Sequence, residues 1–147
     1  MLKPGDQAPD FTLSTDKGEK VQLSKLRDRP VVLFFYPKDD TPGCTIECKE
    51  FRDAREQYLN RAHVFGISAD DVASHQAFVE KFSLNFPLLA DVGHHTADAF
   101  GVWGNTAWGE GIHRTTFVIG TDGHVANVFE KVRPQGHAAE VLAALPK

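Results

Sequence analysis

The sequence holds two cysteines, Cys44 and Cys48, four positions apart. Directly before the first stands Thr41-Pro42-Gly43, turn chemistry that exposes the start of a helix. A first helical turn carries N–H groups without intrahelical partners and the positive end of the helix dipole, so a thiol placed there is favoured as the thiolate. Cysteines in such places have pKa values lowered to roughly 3.5–7.5, and the thiolate is the form that attacks electrophiles and binds metals. The alternative is that Cys44 is a small buried apolar side chain, as free cysteines often are. In a reducing compartment, two cysteines at this spacing point to redox or metal chemistry rather than to a static structural disulfide.

The elements that must position Cys44 follow from the apolar pattern. VVLFFY at 31–36, β-branched and aromatic and ended by Pro37, reads as a central strand buried on both faces. The next stretch sets Cys44, Cys48, Phe51, Tyr58 and Leu59 among charges at helical spacing, so a helix starts near Cys44. A strand is expected around Val64 to Ser68, then a helix capped by Asp70 or Asp71 that buries Val72, Phe78, Val79 and Phe82. FPLLAD is a strand ending at Asp91, HHTADAFGV a helix, RTTFVIGTDGHVANVFEKV two strands joined at Asp122-Gly123, and QGHAAEVLAALP a closing helix. Residues 1–25 add a short hairpin, and the Gly-rich stretch Gly101 to Gly111 reads as a surface loop. This order gives an α/β fold with a mixed central sheet and helices on both faces. The loop from Pro37 to Cys44 then leaves the carboxyl end of a central strand and enters a helix N-terminus, where open α/β sheets place ligands.

Composition narrows the function classes. A length of 147 residues fits one domain, read as 1–147, and 41% hydrophobic with 24% charged residues is ordinary for a folded chain. A net charge of −4 with dispersed acidic residues offers no basic footprint for nucleic acid or an anionic membrane surface. The N-terminal segment lacks a signal-peptide apolar run, and no stretch approaches the roughly 18 apolar residues of a membrane span, so a cytoplasmic location is expected.

FYPKDDTPGCTIE resembles the active-site segment of the peroxiredoxins, with Pro37, Thr41 and Cys44 matching their Pro-x-x-x-Thr-x-x-Cys motif. GIHRTTFVIGTDGHV is similar to a later segment of the same family, where an arginine at the start of a strand completes the site, the place that Arg114 takes. KDDTPGCT and the Phe-Gly-Val-Trp-Gly at 100–104 are most similar to the bacterioferritin comigratory protein (peroxiredoxin Q) branch. The likeness runs from APDFTL at 8–13 to the terminal helix. It implies a thioredoxin-like fold and a thiol-dependent peroxidase for hydrogen peroxide and organic hydroperoxides, a monomer or else a weak dimer, needing no cofactor and recycled by thioredoxin or a similar dithiol.

Each matching residue has a physical task. Peroxide cleavage by a thiolate is a displacement at oxygen, so the site must hold the nucleophile charged, align the O–O bond and stabilise the developing alkoxide. Cys44 is then the nucleophile, and the backbone N–H groups of Gly43 and Cys44 are candidate donors to the peroxide. Thr41 either bonds the peroxide through its hydroxyl or only caps the helix. Arg114 either stabilises the thiolate and a peroxide oxygen or is a solvated charge. Pro37 either shields the thiolate from water or merely stops the strand. Glu47 either orients Arg114 or is an exposed helix carboxylate.

Cys48 departs from the branch pattern, in which a resolving cysteine in this helix usually follows the peroxidatic one by five positions; that position is Lys49 here. On an intact helix, residues four apart have Cβ atoms about 5–6 Å apart, whereas a disulfide needs about 3.5–4.5 Å. The helix must therefore loosen if Cys48 resolves Cys44; the alternative is that Cys48 packs beneath the helix and an external thiol resolves. The 104–111 segment is also shorter than in many relatives of the branch. A rival resemblance is to the copper-binding SCO proteins, with Cys44 and Cys48 as thiolate ligands and His94, His95 or His113 as a third. The sequence around the cysteines differs from that group, a thioredoxin-type exchanger would use Cys-x-x-Cys spacing, and the Gln and Trp partners of a glutathione peroxidase are not found.

Overall fold

The computed structural model describes residues 1–107 and 109–145. It opens with the expected hairpin, β1 (Thr12–Thr15) and β2 (Lys20–Gln22), which turns through Gly18 at φ +79°. Then follow β3 (Val31–Phe35), α1 (Pro42–Asp53), the short α2 (Arg55–Tyr58), β4 (His63–Ser68), α3 (Val72–Phe82), β5 (Leu88–Ala90) and α4 (His95–Phe100). A second hairpin, β6 (Trp103–Thr106) and β7 (Gly109–Ile112), precedes β8 (Thr115–Ile119), β9 (Val125–Phe129) and α5 (His137–Ala143). The closing helix is read from sequence through Pro146, which lies outside the described residues, as does position 108.

A seven-stranded sheet runs in the order β2-β1-β5-β4-β3-β8-β9. β3 pairs parallel with β4 and antiparallel with β8, which makes the sheet mixed as the alternation of elements predicts. Every residue of β3 is buried, and its side chains alternate between two cores. Val32 and Phe34, with Tyr36 beyond the strand end, pack with Cys44, Cys48, Phe51, Phe78 and Val141 beneath α1, α3 and α5. Val31, Leu33 and Phe35 pack with Phe100, Val102 and Phe117 on the α4 side.

Two expectations need correction. The 101–111 stretch is a ribbon rather than a loop, with Trp103 opposite Ile112 and Thr106 opposite Gly109. Glycines at 104, 109 and 111 mask its strand character, because glycine carries little strand preference of its own. In α3 the fully buried side chains are His75 and Phe78, while Val72, Val79 and Phe82 are only half-buried. Asp71 is the residue that caps this helix, accepting from Ser74 N at 2.8 Å.

Candidate active site

Cys44, Glu47 and Arg114 come together just past the end of β3. Tyr36 is buried and Pro37 stands exposed at the bend that follows it. Asp39 then ties the loop down. Its carboxylate accepts from Tyr36 Oη at 2.6 Å, from Ser74 Oγ at 2.8 Å and from His75 Nδ1 at 2.7 Å, and its own N–H donates to Asp70 at 2.8 Å. His75 is fully buried, with its other ring nitrogen 2.9 Å from the Leu89 carbonyl. Both ring nitrogens therefore face oxygens that only accept, an arrangement that favours the imidazolium. Burial works against that cation, but the Asp39 carboxylate and the Leu89 carbonyl outweigh it and raise the His75 pKa.

Helix α1 begins at Pro42, whose missing N–H is no loss in a first turn. Thr41 is extended before it, and its hydroxyl makes no cap bond. Instead Thr41 Oγ1 donates to the Lys38 carbonyl at 2.9 Å, so the reading of Thr41 as a helix cap fails. With its proton committed, the hydroxyl has lone pairs to offer an incoming O–H.

Cys44 is fully buried in the first turn of α1. The register of β3 against β8, Phe35 opposite Thr115, puts Arg114 beside the end of β3 and level with that turn. Its guanidinium spans two partners: Nη2 donates to Cys44 Sγ at 3.2 Å and Nη1 to Glu47 Oε1 at 2.9 Å. Arg114 is thus no solvated charge, and Glu47 is no exposed carboxylate, being 1% exposed. Burial drives the Glu47 pKa up to about 7; Arg114 opposes this and Glu50 adds to it. Gly43 makes room for the arginine, since a Cβ there would lie 3.0 Å from Nη2 and 3.3 Å from Pro134 Cγ.

Cys48 lies one turn further along α1, fully buried in the same core cluster. Burial first, then the charges of Glu47, Cys44 and Asp39, push its thiol well above the ordinary range. Cys48 is therefore a protonated thiol while the helix is intact.

Pattern reading of the sequence missed Pro134, His75 and His137. His137, first in α5, sits with Nε2 4.0 Å from Glu47 Oε2. The histidines weighed as a third copper ligand lie elsewhere. His94 stacks on Trp103 at 3.8 Å and bonds Asp98, and His113 approaches Gly104 of β6. Among the described residues no three His, Cys, Asp or Glu side chains are grouped to hold a metal ion. The copper-binding reading is not supported by this arrangement, nor by the relatives of the chain.

Residues 4–128 match the model of the AhpC/TSA family. Peroxiredoxin Bcp of Bacillus subtilis is 42% identical, covering 98% of this chain and 95% of its own. The crystal structure of peroxidoxin BcpB from Mycobacterium tuberculosis superposes with a TM-score of 0.90 at 39% identity, covering 98% of this chain and 96% of its own. A structure of Xanthomonas campestris bacterioferritin comigratory protein, solved to examine alkyl peroxide reduction, gives 0.85 at 35% identity over 91% and 88% of the two chains. The expected thioredoxin-like fold holds, and among the described residues no helix is long and apolar enough to cross a membrane.

Proposed function

This chain belongs to the AhpC/TSA family, among the peroxiredoxins of the Bcp and Q type, and is a thiol-dependent peroxidase; we propose that Cys44 is its peroxidatic residue, assisted by Thr41, Arg114 and Glu47. The observation that carries this reading is the fork of Arg114 between Cys44 Sγ and Glu47 Oε1. A guanidinium donating to sulfur favours the thiolate, and the same planar group has donors to spare for a peroxide oxygen.

The thiolate attacks the terminal oxygen of R–O–O–H in line with the O–O bond. That bond breaks, sulfur becomes the sulfenic acid S–OH, and the departing RO⁻ takes a proton to leave as ROH. Thr41 accepts from the peroxide O–H, the N–H groups of Gly43 and Cys44 orient it, and Arg114 stabilises the departing oxygen. Pro37, rigid and without an N–H, guards the approach. Hydrogen peroxide and organic hydroperoxides are the substrates, in keeping with the alkyl peroxide reduction examined for the Xanthomonas campestris relative.

Cys48 then resolves the sulfenic acid. Its sulfur attacks Cys44 Sγ, water leaves, and a Cys44–Cys48 disulfide remains for thioredoxin or a similar dithiol to reduce. The first turns of α1 must unwind for this, both to close the sulfur–sulfur distance and to ionise a thiol that burial keeps protonated. The enzyme acts as a single-domain monomer in the cytoplasm. That full burial of Cys48 also favours a second reading, in which an external thiol resolves Cys44 while Cys48 stays packed. Thioredoxin-coupled turnover of Cys48→Ser separates the two: loss of cycling with one equivalent of peroxide still reduced supports Cys48, and undiminished cycling supports the external thiol.

A further inference from the structure

Behind the fork of Arg114 lies buried chemistry that the peroxide step described above does not use. Glu47 Oε1 accepts from Arg114, but Glu47 Oε2 is buried without a hydrogen-bond partner among the described residues. An unpaired carboxylate oxygen in a low-dielectric interior is costly, and the group that shares it is free to turn or to take up a proton. The side chain aimed at it is His137, 2% exposed, with Nε2 4.0 Å from Oε2.

His137 is itself held from several sides. Nδ1 lies 2.9 Å from Glu140 Oε1 and Nε2 lies 2.7 Å from Thr116 Oγ1. The ring stands edge-on to Phe51 of α1 and Phe129 of β9. Glu140 only accepts, so Nδ1 carries a proton; Nε2 then accepts from the Thr116 hydroxyl when the ring is neutral and donates when it is charged. The ionisable groups facing the ring are Glu47 and Glu50 of α1, Arg114 at the start of β8, and Glu140 of α5 itself. Burial outweighs the carboxylates and keeps the ring below its usual pKa, which leaves Glu47 to Arg114 near neutral pH.

We propose that His137 is a positioning residue for the peroxide step, acting through the back of the Glu47 carboxylate on the Arg114 that contacts Cys44. This rests on Cys44 as the peroxidatic residue. The neutral ring, pinned by Thr116 and Glu140, fills the space beside Oε2 and keeps the carboxylate turned toward the guanidinium. Protonation of His137 places a second cation beside Glu47 and draws the carboxylate off Arg114.

The test is a double-mutant cycle on the second-order rate constant for Cys44 oxidation by hydrogen peroxide. His137→Gln is expected to slow oxidation by about tenfold in the native background and by less than about twofold in a Glu47→Gln background, as coupled neighbours do. Thr116→Val, which removes the hydroxyl bonded to Nε2, is measured alongside with thermal melts of every variant, so that a misfolded His137→Gln does not decide the matter. Equal losses in both backgrounds, or unchanged rates in folded variants, overturn the proposal. Failure of wild-type Cys44 to be oxidised at all overturns the peroxidatic assignment instead.

Discussion

A methyl group on Gly43 would stand 3.0 Å from Arg114 Nη2, the nitrogen that donates to Cys44 Sγ at 3.2 Å. The absence of a side chain at 43 is therefore part of how the arginine reaches the sulfur. Gly43→Ala is expected to slow Cys44 oxidation by about tenfold, below the roughly 10²–10³ for complete loss of a donor. Alanine's helix preference, at most about 0.5–1 kcal/mol, is set against the close contacts with Arg114 and Pro134, so the melt serves to show that the variant is folded and the rate carries the test. Stopped-flow oxidation kinetics beside a thermal melt supplies both readings. A rate within about twofold of native would show that the guanidinium yields without cost.

Arg114→Ala should slow the peroxide step by roughly 10²–10³, the worth of one preorganised donor to a developing oxyanion. Arg114→Lys should recover only part, since an ammonium keeps the charge but cannot span Cys44 and Glu47 with a planar fork. The second-order rate constant of Cys44 oxidation is the measurement, and a loss below about threefold contradicts the role.

Glu47 has a pKa of about 7, raised by burial above the ordinary 4.5. A carboxyl whose proton is held more tightly in the folded state contributes stability at low pH that is lost as pH rises from about 4.5 toward about 7. The same deprotonation gives Arg114 a full carboxylate to lock onto. The oxidation rate is thus expected to climb through an inflection near 7 that Glu47→Gln, which accepts but does not ionise, abolishes. Rate profiles of the two proteins that share this inflection would rule Glu47 out as its source.

His75→Ala should destabilise the fold by about 3–5 kcal/mol, the cost of removing one partner from a buried ion pair. Because the folded-state pKa of His75 is raised, the pair's contribution is complete below the ordinary value of 6.5 and is lost as pH rises through the raised one. Urea denaturation of native and variant protein across that range should show the stability gap narrowing at high pH. A gap independent of pH would mean that packing, not charge, is what His75 supplies.

The parts of the fold driven by apolar periodicity could be read in advance. Val31–Phe35 is buried throughout, and the Asp122-Gly123 turn joins β8 to β9 as expected. Cys44 and Arg114, 70 residues apart, were brought together by a family motif rather than by local pattern. The buried polar residues stayed hidden. Counting apolar positions treats His75 and His137 as surface, although each is buried and bonded to a polar partner distant in sequence, Asp39 for one and Thr116 for the other. Glu47 shows why the sequence alone leaves exposed and orienting both open: its partner Arg114 lies 67 residues further along, just before β8.

The peroxidatic role of Cys44 depends on which sulfur meets the peroxide. Reduced protein mixed rapidly with one equivalent of hydrogen peroxide, then followed by intact mass, free-thiol counting and peptide mapping, answers that directly. Cys48→Ser is predicted to gain one oxygen on Cys44, and the native protein to lose two hydrogens as Cys44 and Cys48 join. Peroxide consumed while Cys44 remains a free thiol would contradict the assignment.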